Sequence, residues 1–158
     1  MVHIEAGIVI NRLLDDVFAF VADPANDVRW NEPIVSTELL TPGVIGVGCR
    51  FQHTVRFVGK QFETTGEVID YVPNVRACVR AVGGPLDSTG CREFAAVDGG
   101  TRLTVRLDGV AKGILRFGEA IAAKAAQRQL EQDLARLKAL LETPAHDGQV
   151  SASAHERE

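Results

Sequence analysis

Val2, Ile4, Ala6, Ile8 and Ile10 alternate with His3, Glu5, Gly7, Val9 and Asn11, the period-two pattern of a strand with one buried face. The chain is predicted to open with a strand. Asp15 and Asp16 then precede Val17, Phe18, Phe20 and Val21, placing acidic groups where a helix N-terminus carries partial positive charge. This helix is short, because Asp23-Pro24 ends it. A second helical turn is predicted from Pro24 to Trp30, with Pro24 in the tolerated first turn and Pro33 as its stop.

From Ile34 to Val110 the chain reads as strand and turn. Breakers fall at Thr41-Pro42-Gly43, Gly59-Lys60, Pro73-Asn74, Gly83-Gly84-Pro85 and Asp98-Gly99-Gly100, which divide it into about six strands. Breaks roughly 8 to 14 residues apart suit hairpin-connected neighbours, so the sheet is predicted to be an antiparallel meander. Its cover is written next. Ile114, Phe117, Ile121, Ala125, Leu130, Leu134, Leu137 and Leu141 recur at helical spacing, with Lys124, Arg128, Glu131 and Lys138 interleaved. Taken from Ala111 to Glu142, that helix is about 48 Å long, longer than any strand, so the sheet has to curve around it. The fold class is α+β, with one domain over residues 1–142. Residues 143–158 lack apolar periodicity and are expected to be a disordered tail.

Composition narrows the function. The 158 residues are 46% hydrophobic and 24% charged with a net charge of −4, which gives no attraction to a phosphate backbone, so no nucleic-acid partner is expected. The first residues lack a basic region followed by an apolar run, and no stretch approaches the ~18 apolar residues of a membrane span, so a cytoplasmic protein without a membrane span is expected. Cys49, Cys78 and Cys91 are odd in number and widely spaced, and are expected to be buried free thiols. His3, His53, His146 and His155 have no ligand spacing, and no nucleophile motif is present, so neither a metal nor a cofactor is expected.

Parity along the strands sorts the side chains. Phe51, His53, Val55 and Phe57 share one face and are assigned inward, leaving Arg50, Gln52, Thr54 and Arg56 outward. Phe62, Thr64, Gly66 and Val68 point inward by the same rule, as do Arg92 and Phe94, and Leu103, Val105 and Leu107. Ile114, Phe117 and Ile121 are assigned to close this space from the helix. Arg76 and Arg80 flank Cys78 on one face and are read as a solvated edge.

Four strings carry a resemblance. Asp15-Asp16-Val17-Phe18-Ala19-Phe20-Val21-Ala22-Asp23-Pro24 followed by Trp30 resembles the opening of the START-like superfamily, in its polyketide cyclase/dehydrase and lipid-transport branch. Gly46-Val47-Gly48-Cys49-Arg50-Phe51, Gly66-Glu67-Val68-Ile69-Asp70-Tyr71-Val72-Pro73 and Asp98-Gly99-Gly100-Thr101-Arg102-Leu103-Thr104 agree with it. The resemblance spans Val2 to Leu141 and implies a helix-grip fold: a curved antiparallel sheet of about seven strands around a long C-terminal helix, with two short helices after the first strand. It also implies a ligand space between sheet and helix. A monomer or weak homodimer is expected.

The function expected first is binding of a hydrophobic small molecule, a lipid or a polyketide-like compound, by Trp30, Phe51, His53, Val55, Phe57, Phe62, Phe94, Ile114, Phe117 and Ile121. Two alternatives stand beside it: an aromatic polyketide cyclase/dehydrase, and a toxin-like interaction module. For the cyclase, His53 and Arg92 are the residues able to move protons and stabilise developing charge. Against that role stand the plainer readings of His53 as a core histidine satisfied by a neighbour and of Arg92 as a paired structural arginine. Trp30 is read either as a platform for a flat ligand or as the anchor of the second short helix.

Overall fold

The computed structural model of the chain describes residues 1–57, 59–84, 86–112 and 118–144. The elements run β1 (Val2–Ile10), α1 (Leu14–Val21), a short 3-10 helix (Pro24–Arg29), β2 (Ile34–Leu39), β3 (Arg50–Phe57), β4 (Lys60–Val72), β5 (Arg76–Val82), β6 (Leu86–Val97), β7 (Gly100–Ala111) and α2 (Glu119–Glu142). The seven strands form one antiparallel sheet in the order β1-β7-β6-β5-β4-β3-β2. Strands β2 to β7 make the predicted meander, and β1 pairs with β7 in the register Ile4↔Leu107 and Ile10↔Thr101. The Pro73-Asn74 turn works because Asn74 takes φ 64°, a left-handed conformation that asparagine tolerates better than most residues.

The core lies between the inner face of β1, β7 and β6 and the second half of α2. Leu130, Leu134, Leu137 and Leu141 from α2 are buried in one cluster with Ile4, Ile10, Leu103 and Val105, and α1 adds Val17, Phe18 and Val21. Each such side chain contributes roughly 1.5–3 kcal/mol when fully buried. β1 is an edge strand, and α2 occupies its free edge. Gln127 accepts from the Glu5 backbone N–H at 3.2 Å and donates to the Glu5 carbonyl at 2.8 Å, and Lys138 Nζ donates to the Val9 carbonyl at 2.7 Å. Those bonds satisfy edge groups that otherwise invite pairing with another chain. No helix among the described residues is long and apolar enough to cross a membrane.

The structure corrects three expectations. The helix starts at Glu119, because the chain through Ala111 completes the ladder to β6, where Ala111 faces Leu86; the 24 residues of α2 span about 36 Å. Ile121 is 78% exposed. It precedes Leu130 by nine residues, and at about 100° per residue that puts it half a turn away from the buried stripe. Cys78 and Cys91 are joined in a disulfide, leaving Cys49 as the free buried cysteine. The register sets the two cysteines directly opposite each other on β5 and β6. They lie on the outer face with Arg76 and Arg80, which are exposed as the solvated edge requires. The tail assigned as disordered lies, from residue 145 onward, outside the described residues.

Candidate functional site

Strands β3 and β4 set out an inner strip in register: Phe51 faces Gly66, His53 faces Thr64, Val55 faces Phe62 and Phe57 faces Lys60. Burial falls along it. Phe51 is 3% exposed, whereas His53, Val55, Phe57 and Phe62 are only partly buried. The Phe51 ring lies over Gly66, where a Cβ would stand 2.3 Å from the ring carbon Cζ, so only glycine allows the ring to turn inward here. That ring packs at 4.8 Å, centroid to centroid, on the His53 imidazole. The strip is therefore apolar and partly open at its Val55, Phe57 and Phe62 end and closed at its Phe51 end.

A polar cluster meets the strip at His53. Pro24 starts the 3-10 helix, the Asp23 side chain caps it by accepting from Ala25 N–H at 3.0 Å, and Asp27 is carried inward to 3% exposure. Arg92, inward on β6 beside Phe94, donates to Asp27 Oδ1 at 2.9 Å and to the Val21 carbonyl at 2.6 Å. Its guanidinium also lies over the Trp30 ring, 5.1 Å from the centroid, a cation–π contact. One cation thus meets the carbonyl of the last residue of α1, a buried carboxylate and an aromatic face.

His53 completes the cluster. Its Nε2 lies 3.6 Å from Asp27 Oδ2 and is buried without a hydrogen-bond partner. The Pro24 carbonyl lies close enough to the ring to favour its charged form. Burial, as the largest effect, lowers the His53 pKa below the usual value of 6.5. The Asp27 carboxylate and the Pro24 carbonyl pull the other way, and Arg92 reinforces the drop. The imidazole is thus neutral near pH 7. Thr37 faces His53 from β2, and its Oγ1 and the Trp30 Nε1 are also buried and unpartnered.

The structure brings together some of the expected residues and separates others. Phe51, His53, Val55, Phe57 and Phe62 share the strip, and Arg92 joins it through Asp27. Trp30 is 1% exposed with a face taken by Arg92, the geometry of an anchor. Phe94 packs edge to face on Phe18 at 5.0 Å, inside the core. Ile121 stands apart in solvent, and Ile114 and Phe117 lie outside the described residues. Asp27 was missed by sequence reasoning; the signal for it was an acidic residue inside a short helical turn three positions before the only tryptophan. Asp133 on α2 was missed as well. It is 2% exposed, takes bonds from Gln129, Arg136 and the Glu32 N–H, and holds the end of the 3-10 helix through Arg136, which also donates to the Trp30 carbonyl.

Residues 1–142 match the family described as polyketide cyclase/dehydrase and lipid transport. The chain belongs to that family. Proteins of solved structure share the helix-grip fold at low identity. A START superfamily protein from Mycobacterium smegmatis superposes with a TM-score of 0.75 at 16% identity, covering 87% of this chain and 95% of that one. An aromatase/cyclase from Streptomyces sp. R1128 gives 0.71 at 18% identity over 86% and 90% of the two chains. A protein from Chromobacterium violaceum gives 0.67 at 19% identity over 89% and 97%. Among curated proteins, none matches the chain. At these identities the likeness to solved structures is one of fold, and function has to be argued from the site.

Proposed function

We propose that the protein binds an apolar small molecule along the inner strip of β3 and β4, with the polar end of the ligand at His53. The observation that carries this reading is the junction itself. A partly open run of Val55, Phe57 and Phe62 leads to a buried imidazole nitrogen that nothing among the described residues satisfies. Binding sites for small molecules combine these elements, an apolar wall and a few placed polar groups. Native mass spectrometry of the purified protein, followed by denaturing extraction, tests it. A retained apolar species of fixed mass is expected. A protein that is empty as purified and stays empty after incubation with lipids and aromatic polyketides overturns the reading and favours an interaction module.

His53 also supports a second reading, as an aromatic polyketide cyclase/dehydrase. A neutral imidazole is equipped to take a proton from a substrate carbon or hydroxyl, and the adjacent Arg92–Asp27 pair fixes the charges around it. Turnover of a poly-β-ketone thioester that His53→Gln abolishes while ligand binding persists would establish catalysis; binding without turnover limits the protein to carriage.

A further inference from the structure

We infer that β2 is a self-association edge: two copies of the chain pair their β2 strands antiparallel about a two-fold axis at Thr37, joining their sheets into one. This goes beyond the binding function and does not depend on it.

The two ends of the sheet are finished differently. At β1 the helix α2 bonds the edge groups of Glu5 and Val9. At β2, last in the sheet order, no described strand lies beyond. The direction of its backbone groups follows from the ladder to β3. Leu40 N–H donates to the Arg50 carbonyl at 2.8 Å, and the bonding residues alternate along an antiparallel pair. Ser36 and Glu38 therefore bond β3 opposite Thr54 and Gln52, while the N–H and C=O groups of Thr37 and Leu39 turn to the free edge. Such a row of unpaired groups is a template for another strand.

The side chains around this edge are apolar. Val35, Leu39, Leu40, Val44 and Val47, all between residues 35 and 47, are exposed large hydrophobic residues, Val44 almost completely at 98%. Exposed apolar side chains gathered in one place mark an interaction surface.

Charge names the partner. A strand laid antiparallel on this edge sets one of its residues opposite Glu38, and that residue must not be acidic. Two β2 strands crossing at Thr37 meet the need: Thr37 faces Thr37, Leu39 faces Val35 and Glu38 faces Ser36 of the second copy. Crossing one residue later would set the two Glu38 carboxylates directly opposite each other, which like charges disfavour. The loops that carry Leu40, Val44 and Val47 then lie at both ends of the shared ladder, where the two-fold axis gives each the other copy to pack on. Residues 145–158 of the chain hold one large apolar residue, Val150, and are the poorer occupant. The interface is small, so the dimer is expected to be reversible.

Sedimentation velocity of the full chain from micromolar to millimolar concentration reads the association, and amide hydrogen exchange reads where it occurs. A reversible dimer is expected, with the Thr37 and Leu39 amides slowing as concentration rises. Leu39→Pro removes an N–H that faces the free edge and no bond to β3, a placement in which an edge strand tolerates proline, and is expected to leave a monomer. Ser36 and Glu38 are exposed, so Ser36→Lys and Ser36→Glu test the register without touching the core, and they carry the test alone if Leu39→Pro does not fold. Each altered pair occurs twice in the dimer, so Ser36→Lys is expected to tighten it roughly two- to thirtyfold and Ser36→Glu to weaken it by a similar factor. A dimer indifferent to both Ser36 variants overturns the inference. A chain that stays monomeric throughout overturns it as well, and slow exchange of the Thr37 and Leu39 amides in that monomer would show another segment of the same chain on the edge.

Discussion

His53 Nε2 and Asp27 Oδ2 face each other across 3.6 Å inside the fold, and among the described residues the nitrogen has no hydrogen-bond partner. The arrangement makes stability depend on pH with a defined sign. The folded-state pKa of His53 is below the usual 6.5, so between the two values the unfolded chain binds more protons than the folded one, and stability rises with pH through that window. Acidification from about pH 6.5 downward is expected to lower the urea midpoint. His53→Gln is expected to remove this part of the profile, and parallel wild-type and variant profiles would refute it. The groups facing His53 are Asp27, Arg92, Thr37, Thr64 and the Pro24 carbonyl, and the comparison of variant with wild type cancels titration elsewhere.

Asp27 and Arg92 join segments 65 residues apart in sequence. Asp27→Ala leaves the Arg92 charge unpaired in a largely buried place and is expected to cost about 3–5 kcal/mol. Replacing both, Asp27→Leu with Arg92→Met, is expected to cost less than the sum of the single changes. Chemical denaturation of the four proteins in a double-mutant cycle reads the difference; strict additivity would show that the pair does not act as a unit.

Gly66 has room for hydrogen alone beneath the Phe51 ring. Gly66→Ala is expected to destabilise by about 1–3 kcal/mol through overpacking and to weaken ligand binding, because the displaced ring also packs on His53. Adding Phe51→Leu is expected to recover part of the lost stability. If Phe51→Leu worsens Gly66→Ala by its full single-mutant cost, the clash is not the cause.

The Cys78–Cys91 disulfide links residues 13 apart, a loop short enough for a contribution of about 2–3 kcal/mol in the chain-entropy account. Reduction is expected to lower the thermal midpoint of the wild type and leave that of Cys78→Ala/Cys91→Ala unchanged. Ligand affinity is expected to survive, since the bond lies on the outer face with Arg76 and Arg80. An equal response of both proteins to reductant would refute the stabilising role.

Much of the fold was legible because its signals are local. Period-two alternation, breakers at the turns and the acidic start of α1 act within a few residues, and the six strands after the short helices lie between the breaks that predict them. The inward parity of Phe51, His53, Val55 and Phe57 was legible for the same reason, since alternation along one strand needs no partner. Trouble began where the pattern had to be carried across a gap. Ile121 fits a helical spacing count, yet the accumulated angle to Leu130 turns it to solvent.

What the sequence alone determined, then, is the order of elements and the faces of the single strands, because backbone geometry imposes those periods on any chain that forms them, while the helix-grip class followed from the family resemblance. Only the tertiary structure decided which distant groups meet: Cys78 with Cys91, through strand register; Asp27 with Arg92 and His53, through the docking of the 3-10 helix against the sheet; α2 with the free edge of β1. Such pairings carry no local signature. A carboxylate in a short turn looks the same whether it ends in water or under an arginine, and the closure of the sheet and helix around it, not its neighbours in sequence, sets the chemistry of this site.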